Sequence, residues 1–217
     1  MKTEDSKITF QSSFQVVNSN RLATFSDGVF AIAVTLLVFN LKIPEIPSGT
    51  VHSQLPSQLK AMIPHFLAYV ISFFLVAINW TVHHRLLDLV DHVDINFIWL
   101  NLLYLLLIAF IPFLAGLIGT YPEEPFSLIL YLSLMTLVIL VSLAMWWYAS
   151  HKFRLIHKNI SRSLIKYFYV RAYITIAVFI VVLALTFFHI HRAVYCLLIL
   201  VPVNWLVRRH HEKLKEI

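Results

Sequence analysis

Six runs of apolar residues, separated by short polar segments, constrain this chain more than any other feature. A helix needs about 20 mostly apolar residues to cross the hydrocarbon core of a bilayer. The chain is 59% hydrophobic and only 13% charged, whereas a soluble domain carries about a quarter charged residues. The pattern therefore predicts an all-α, polytopic protein that resides in a membrane.

The six predicted transmembrane helices follow the bounds of these runs. They cover about Asn20–Leu41, Leu59–Val82, Ile95–Gly119, Phe126–Tyr148, Tyr167–Phe188 and the shorter Ala193–Val207. We expect one transmembrane domain over residues 20–208, between an N-terminal segment (1–19) and a basic C-terminal tail (209–217). The polar N-terminal segment has no apolar stretch of the signal-peptide kind.

The basic residues predict the orientation. Of the 17 Lys and Arg residues, 14 fall on the side that holds both termini, against three on the other side: Lys42, Lys60 and Arg192. By the positive-inside rule both termini are cytoplasmic, which predicts a multi-pass protein of the cell (inner) membrane. The basic residues lie between apolar spans rather than in a patch, so no nucleic acid is expected. The basic loop at 151–162 is expected to contact anionic lipid.

The first apolar run begins with a polar cluster. The sequence RLATFSDGVFAIAVTLLVFNLKIP starts at Arg21 and places Ser26 and Asp27 ahead of a long apolar stretch. A carboxylate near hydrocarbon must find water or a partner, so Asp27 is a candidate functional residue. It could also serve as a helix-start residue that, with Ser26, satisfies free amides and the helix dipole. The spacing leaves both interpretations open.

Helical periodicity separates two faces of this run. Ile32, Thr35, Leu36 and Phe39 follow the i, i+3, i+4, i+7 rule and share one stripe. Ser26 and Asp27 lie roughly 120–140° around the helix from Ile32 at 3.6 residues per turn. Ordinary helix packing would produce the same stripe, and spacing alone does not distinguish it from the lining of a pore.

Polar residues in later spans are candidate partners for Asp27. Trp80 and His84 are four residues apart and face the same way, and Asn101 lies in the third span. Each could instead be satisfied locally or by water. The spacing of the histidines does not suit a metal site, so no metal ligands are predicted. The single Cys196 permits no disulfide within one chain and lies in an apolar run.

Three segments resemble a known family. RLATFSDGVFAIAVTLL (Arg21–Leu37) resembles the Arg-x-x-x-Phe-Ser-Asp signature of the transmembrane protein 175 family of cation channels, in its bacterial six-helix form. The runs WTVHHRLL (Trp80–Leu87) and WLNLLYLLLIAFIPF (Trp99–Phe113) are also similar to that family. Length, span count and basic loops match over nearly the whole chain.

The resemblance implies a potassium-permeable channel that assembles as a homotetramer, with the first helix lining a central pore. The hydrophobic constriction would fall on Ile32, Leu36 and Phe39, with Thr35 as a polar ring on the same stripe. The signature residues, Arg21, Phe25, Ser26 and Asp27, would brace that helix, with Trp80, His84 and Asn101 as a supporting network. Potassium and other monovalent cations would be the permeating ions, with modest potassium-over-sodium selectivity and no cofactor.

Two positions depart from the family pattern. Phe39 stands where the family usually has Leu, which implies a bulkier outer ring. The third span ends PFLAG, where the family more often has Pro-Phe-Pro-Thr. These differences concern the outer ends of the first and third helices.

Two other functions compete with the channel. A proton leak or secondary cation transporter could use Asp27 and His84 as a relay, although the sequence shows no internal repeat and no paired broken helices. A membrane enzyme ranks last, because no nucleophile–base motif is present. The chain is therefore not expected to be an enzyme.

Overall fold

A computed structural model describes residues 19–187 together with residues 197, 200 and 202. Six α-helices occupy this part of the chain: α1 (Ser19–Leu36), α2 (Val51–Ala61), α3 (Ile63–Asp88), α4 (Ile95–Thr120), α5 (Pro125–Ser150) and α6 (Arg162–Phe187). Short 3₁₀ segments extend α1 over Leu37–Asn40, precede α2 at Ser48–Thr50 and follow α5 at His151–Phe153. The all-α architecture is as predicted.

Five of the predicted spans are present. Within the described part of the chain, α1 with its 3₁₀ extension and the helices α3, α4, α5 and α6 are long and apolar enough to cross a membrane. The multi-pass membrane fold is therefore confirmed. The predicted sixth span, Ala193–Val207, and the predicted terminal segments 1–18 and 209–217 lie outside the described residues, apart from positions 197, 200 and 202.

The bounds of two predicted spans differ from the structure. The fifth span was placed at Tyr167–Phe188, but α6 already begins at Arg162 and ends at Phe187. The second span was placed at Leu59–Val82, but α3 runs from Ile63 to Asp88, because its C-terminal end continues through the polar residues around Arg85. Between the first and second predicted spans lies an additional helix, α2, which begins at Val51. None of the residues of α2 is buried, so this polar helix lies on the surface next to the start of α3.

Helix α4 forms the centre of the bundle. It packs against α1, α3 and α5, and α5 in turn packs against α6. Its inner face is apolar along most of its length, with Phe97, Ile108 and Ile111 fully buried. Burying such side chains stabilises a fold by about 1.5–3 kcal/mol each in water, but in lipid close packing takes over that role. Packing against α4, the third predicted span, therefore holds α1 in position.

The α3–α4 loop and the α5–α6 loop contact each other at one end of the bundle. Asp94 caps α4 by accepting a hydrogen bond from the Phe97 amide at 2.9 Å. The same carboxylate accepts the Tyr148 hydroxyl at 2.6 Å and lies 3.7 Å from Arg154. An isolated antiparallel bridge links Val90 to Ile156. The α3–α4 loop and the α5–α6 loop thus form one connected surface, rather than two separate solvated turns.

Candidate functional site

One face of α1 is exposed along its whole length. Ile32 is 60% exposed, Leu36 43% and Phe39 73%, and Thr35 between them is also exposed. A Cβ built on Gly28 would meet nothing within 4 Å, so the open face continues toward the start of the helix. The four residues of the predicted stripe therefore lie together on a surface that no part of the described chain covers.

The opposite face of α1 is buried against the bundle. Its buried residues recur at helical spacing and are, in order, Leu22, Ser26, Phe30, Ala33 and Leu37. The small residues on this face, Ser26 and Ala33, allow α1 to approach α3 and α4 closely. The separation of two faces that periodicity predicted is present in the structure.

Thr35 presents its oxygen to the open face as an acceptor. Its hydroxyl donates to the Ile32 carbonyl at 2.8 Å, a bond back to the preceding turn of the same helix. The proton is thereby used within the helix, and the lone pairs of the oxygen remain available. An oxygen in this state can accept a hydrogen bond from water or contact a cation.

The last turn of the first helix is a 3₁₀ helix, Leu37–Asn40. A 3₁₀ helix has three residues per turn, so residues three apart eclipse one another. Phe39 therefore lies almost directly above Leu36, whereas a continued α-helix would offset it by about 60°. The tighter winding places Phe39 over Leu36. A continued α-helix would instead bring it within about 20° of Ile32, so Phe39 stays on the stripe in both cases.

A chain of hydrogen bonds crosses the buried side of α1. The Nε2–H of His83 donates to Asn101 Oδ1 at 2.6 Å, and the Asn101 amide donates to Ser26 Oγ at 3.1 Å. Ser26 in turn donates to the Leu22 carbonyl at 2.8 Å. All three side chains are buried, and buried polar groups that pair in this way fix one packing arrangement.

Asp27 has a different partner from Ser26. The indole Nε1–H of Trp80 donates to Asp27 Oδ1 at 2.8 Å. His84 stacks on Trp80 with 5.5 Å between ring centroids and lies 3.5 Å from Asp88. Of the three candidate partners, only Trp80 bonds Asp27. His84 contacts the indole instead, and Asn101 binds Ser26.

The remaining signature residues face outward. Phe25 is 54% exposed, and Arg21 is exposed as well. Among the described side chains, Arg21 and Asp27 form no ion pair. The four signature residues therefore lie on two sides of α1. Ser26 and Asp27 hydrogen-bond to α4 and α3, while Arg21 and Phe25 are exposed.

Sequence reasoning missed His83 and Asn40. His83, rather than its neighbour His84, joins the buried chain and stacks on Tyr104 at 5.0 Å. Asn40 donates from its amide to the Pro112 carbonyl of α4 at 2.9 Å. In both cases the available signal was a polar residue within a membrane-length run, because such residues pair inside the bundle.

Arg171 falls within the predicted fifth span, Tyr167–Phe188, and lies inside α6. It lines a cavity together with Asn79 and Ser142, so its charge is placed within the bundle. In the described part of the chain, no three His, Cys, Asp or Glu side chains are grouped as a metal ion would require.

These features define a class: a multi-pass helical membrane protein in which a bundle buries one face of its first helix and leaves the other open. A family model described as the endosomal/lysosomal potassium channel TMEM175 matches residues 21–112. A potassium channel of Streptomyces collinus is 36% identical over 136 residues, which cover 60% of this chain and 64% of the relative. A potassium channel of Chamaesiphon minutus is 33% identical over 147 residues, 66% of this chain and 72% of the relative.

A solved structure agrees with these sequence matches. The crystal structure of a lysosomal potassium-selective channel TMEM175 homolog from Chamaesiphon minutus has a TM-score of 0.74 and 28% identity, covering 87% of this chain and 97% of that chain. A human relative, named an endosomal/lysosomal proton channel, is 27% identical over 145 residues, only 28% of its length. This chain belongs to the TMEM175 family, as its resemblance implied.

Proposed function

We propose that this protein is a potassium-permeable cation channel in which four copies of α1 surround a central pore. The bacterial relatives that bear the name potassium channel support the ion. The structural match over 97% of a potassium-selective channel supports the mode of transport. The proposal includes no enzymatic step and no cofactor.

The open face of α1 is the observation that carries this proposal. An exposed helix face in a membrane protein contacts lipid, a neighbouring subunit or water. The stripe of Ile32, Thr35, Leu36 and Phe39 includes a hydroxyl whose lone pairs are free, and it lies above the open Gly28. Fourfold closure would bring one such stripe from each subunit to a common axis.

Rings of Ile32, Leu36 and Phe39 would form a narrow apolar neck. Such a neck gates by dewetting, because it empties of water and stops conduction when it narrows slightly. Apolar rings cannot replace the hydration shell of an ion, whereas four Thr35 hydroxyls would supply oxygens. We therefore propose a modest preference for potassium over sodium, set at Thr35.

The buried side of α1 would hold this stripe in place. Ser26 is joined to α4 through Asn101, and Asp27 to α3 through Trp80. Both bonds lie on the side of the helix that faces the bundle, away from the open stripe. Their proposed role is to fix the rotation of α1 about its own axis.

A proton relay from Asp27 to His84 is less well supported. Trp80 lies between the two residues, donating its only polar hydrogen to Asp27 and stacking on His84. An indole N–H is a donor without an acceptor site, so it does not pass a proton onward. No hydrogen bond joins Asp27 to His84 among the described contacts.

We place the protein in the cell (inner) membrane with both termini in the cytoplasm. The basic α5–α6 loop would then contact anionic lipid headgroups on the cytoplasmic side. Lys152 and Lys158 in this loop are exposed, so both charges can reach such headgroups.

Purified protein in liposomes tests the proposed function. A channel passes potassium at rates far above the turnover of a carrier, and the flux does not require a coupled counter-ion. Slow and saturable flux that depends on a proton gradient would contradict the channel and favour the transporter. Reversal potentials in mixed potassium and sodium solutions would give the selectivity directly.

A further inference from the structure

The outer end of the first helix is attached to α4 by a contact that the proposed function does not use. We call it the outer clamp: Asn40, Pro112 and Gly116. The Asn40 amide donates to the Pro112 carbonyl at 2.9 Å. A Cβ on Gly116 would lie 2.6 Å from Asn40 Oδ1 and 3.0 Å from its Cγ, so the Asn40 side chain occupies the space that Gly116 leaves open.

A second glycine repeats this arrangement one turn further along α4. A Cβ on Gly119 would lie 2.9 Å from His65 Cδ2 and 3.2 Å from His65 Cα. Small residues three or four apart allow close approach between membrane helices. Gly116 and Gly119 thus shape one side of α4 to receive the end of α1 and the start of α3.

The outer clamp lies next to the 3₁₀ turn that aligns Phe39 with Leu36. Asn40 is the last residue of this turn, so its attachment to α4 fixes the end of the overwound segment. Leu37, at the start of the turn, is fully buried. The turn is therefore held at both ends while Phe39 remains 73% exposed.

We infer that the outer clamp is a positioning device for the outer constriction, with Asn40 as the positioning residue. The inference rests on the proposed function, because it assigns a role to Phe39 in the pore. Without the clamp the turn relaxes toward α-helical winding. From Leu36 to Phe39 the rotation then falls from about 360° to about 300°, and the rise falls from about 6 to about 4.5 Å. Phe39 then changes its angle and height relative to Leu36, so the clamp no longer sets the position of the outer ring.

The test combines Asn40→Ala, Gly116→Ala and the double variant, with Gly49→Ala as a matched control. A Cβ at Gly49 meets nothing within 4 Å, so the control should behave like the unchanged protein. Each single variant should change potassium flux by about two- to fivefold, because the outer ring shifts from its clamped position. In the double variant the added methyl no longer meets Asn40, so its flux and melting temperature should match those of Asn40→Ala alone.

A background of Phe39→Ala separates positioning from general destabilisation. If Asn40 acts through the Phe39 ring, Asn40→Ala should change the flux by less than about 1.5-fold in this background. An equal change in both backgrounds would overturn the inference, as would single variants that lower the melting temperature and leave flux unchanged. Absence of potassium flux in the unchanged protein would instead reject the proposed function, and the positioning role with it.

Discussion

The exposed faces of α1 and α4 differ in the kind of side chain they carry. Between Trp99 and Phe113, every exposed residue of α4 is apolar and most are large, as at Leu106, which is 65% exposed. The exposed face of α1 mixes small and polar residues with apolar ones, including Gly28 and Thr35. The apolar face of α4 can contact lipid without exposing polar groups to it. The face of α1 would expose the Thr35 hydroxyl and the backbone at Gly28 to hydrocarbon, which is unfavourable.

The difference indicates which exposed face meets water. Exposure alone does not distinguish the two helices, because Ile32 at 60% and Leu106 at 65% are almost equally open. The polar content of the surrounding face does distinguish them. The comparison therefore supports the proposal that α1 lines the ion path, whereas the exposed face of α4 suits lipid or a neighbouring subunit.

The largest expected effect is a difference in stability between matched Asn substitutions at Leu106 and at Ile32. Leu106→Asn places an amide in hydrocarbon without a partner and should cost about 2 kcal/mol, seen as a lower melting temperature and yield of detergent-solubilised protein. Ile32→Asn should leave both nearly unchanged and raise potassium flux, because a polar ring keeps the neck wet. Leu106→Met is the control. Equal destabilisation at both positions would remove the distinction between the faces.

The buried side of α1 provides a smaller effect. Asp27→Ala removes the acceptor of the Trp80 indole bond and should lower stability by about 1.5 kcal/mol, the low end for a bond to a charged group. Asp27→Asn keeps an oxygen acceptor and should recover more than half of that loss. The melting temperature of the purified assembly measures both, and Trp80→Phe should match Asp27→Ala. An altered ion preference in a fully stable Asp27→Ala assembly would place Asp27 in the ion path instead.

The smallest expected effect is at Thr35. Thr35→Ala removes the hydroxyl oxygen from the stripe and should lower the potassium-to-sodium permeability ratio by about twofold, or about 0.4 kcal/mol. Thr35→Ser keeps the oxygen and should retain the ratio. Reversal potentials in mixed potassium and sodium solutions measure the ratio. If the ratio stays the same in Thr35→Ala, selectivity does not arise at this ring.

Local patterns in the sequence predicted most of the fold and the two faces of α1. The third and fourth spans were placed within two residues at each end, because long apolar runs between polar segments define a helix in lipid. The stripe from Ile32 to Phe39 follows from helical spacing alone. The start of α3 was placed four residues early, at Leu59, because α2 ends in Leu59, Lys60 and Ala61 and only Met62 separates it from α3.

Contacts between distant helices could not be predicted in this way. Asn40 meets Pro112 and Gly116 across more than 70 residues, and nothing in the spacing along the chain indicates that pairing. The choice of His83 over His84 depends on the rotation of α3 against α4, which a sequence pattern fixes only to within a residue. The role of the open stripe as a pore follows from family membership rather than from periodicity.

Silver-ion block at single cysteines tests most directly whether the open face of α1 lines the ion path. Silver is a monovalent, thiol-reactive ion of similar size to potassium, so it reaches positions that a permeating ion reaches. In a Cys196→Ser background, we expect silver to stop potassium flux through Ile32→Cys and Thr35→Cys and to leave flux through Leu106→Cys unchanged. Block at Leu106→Cys with no effect at Ile32→Cys and Thr35→Cys would contradict the account.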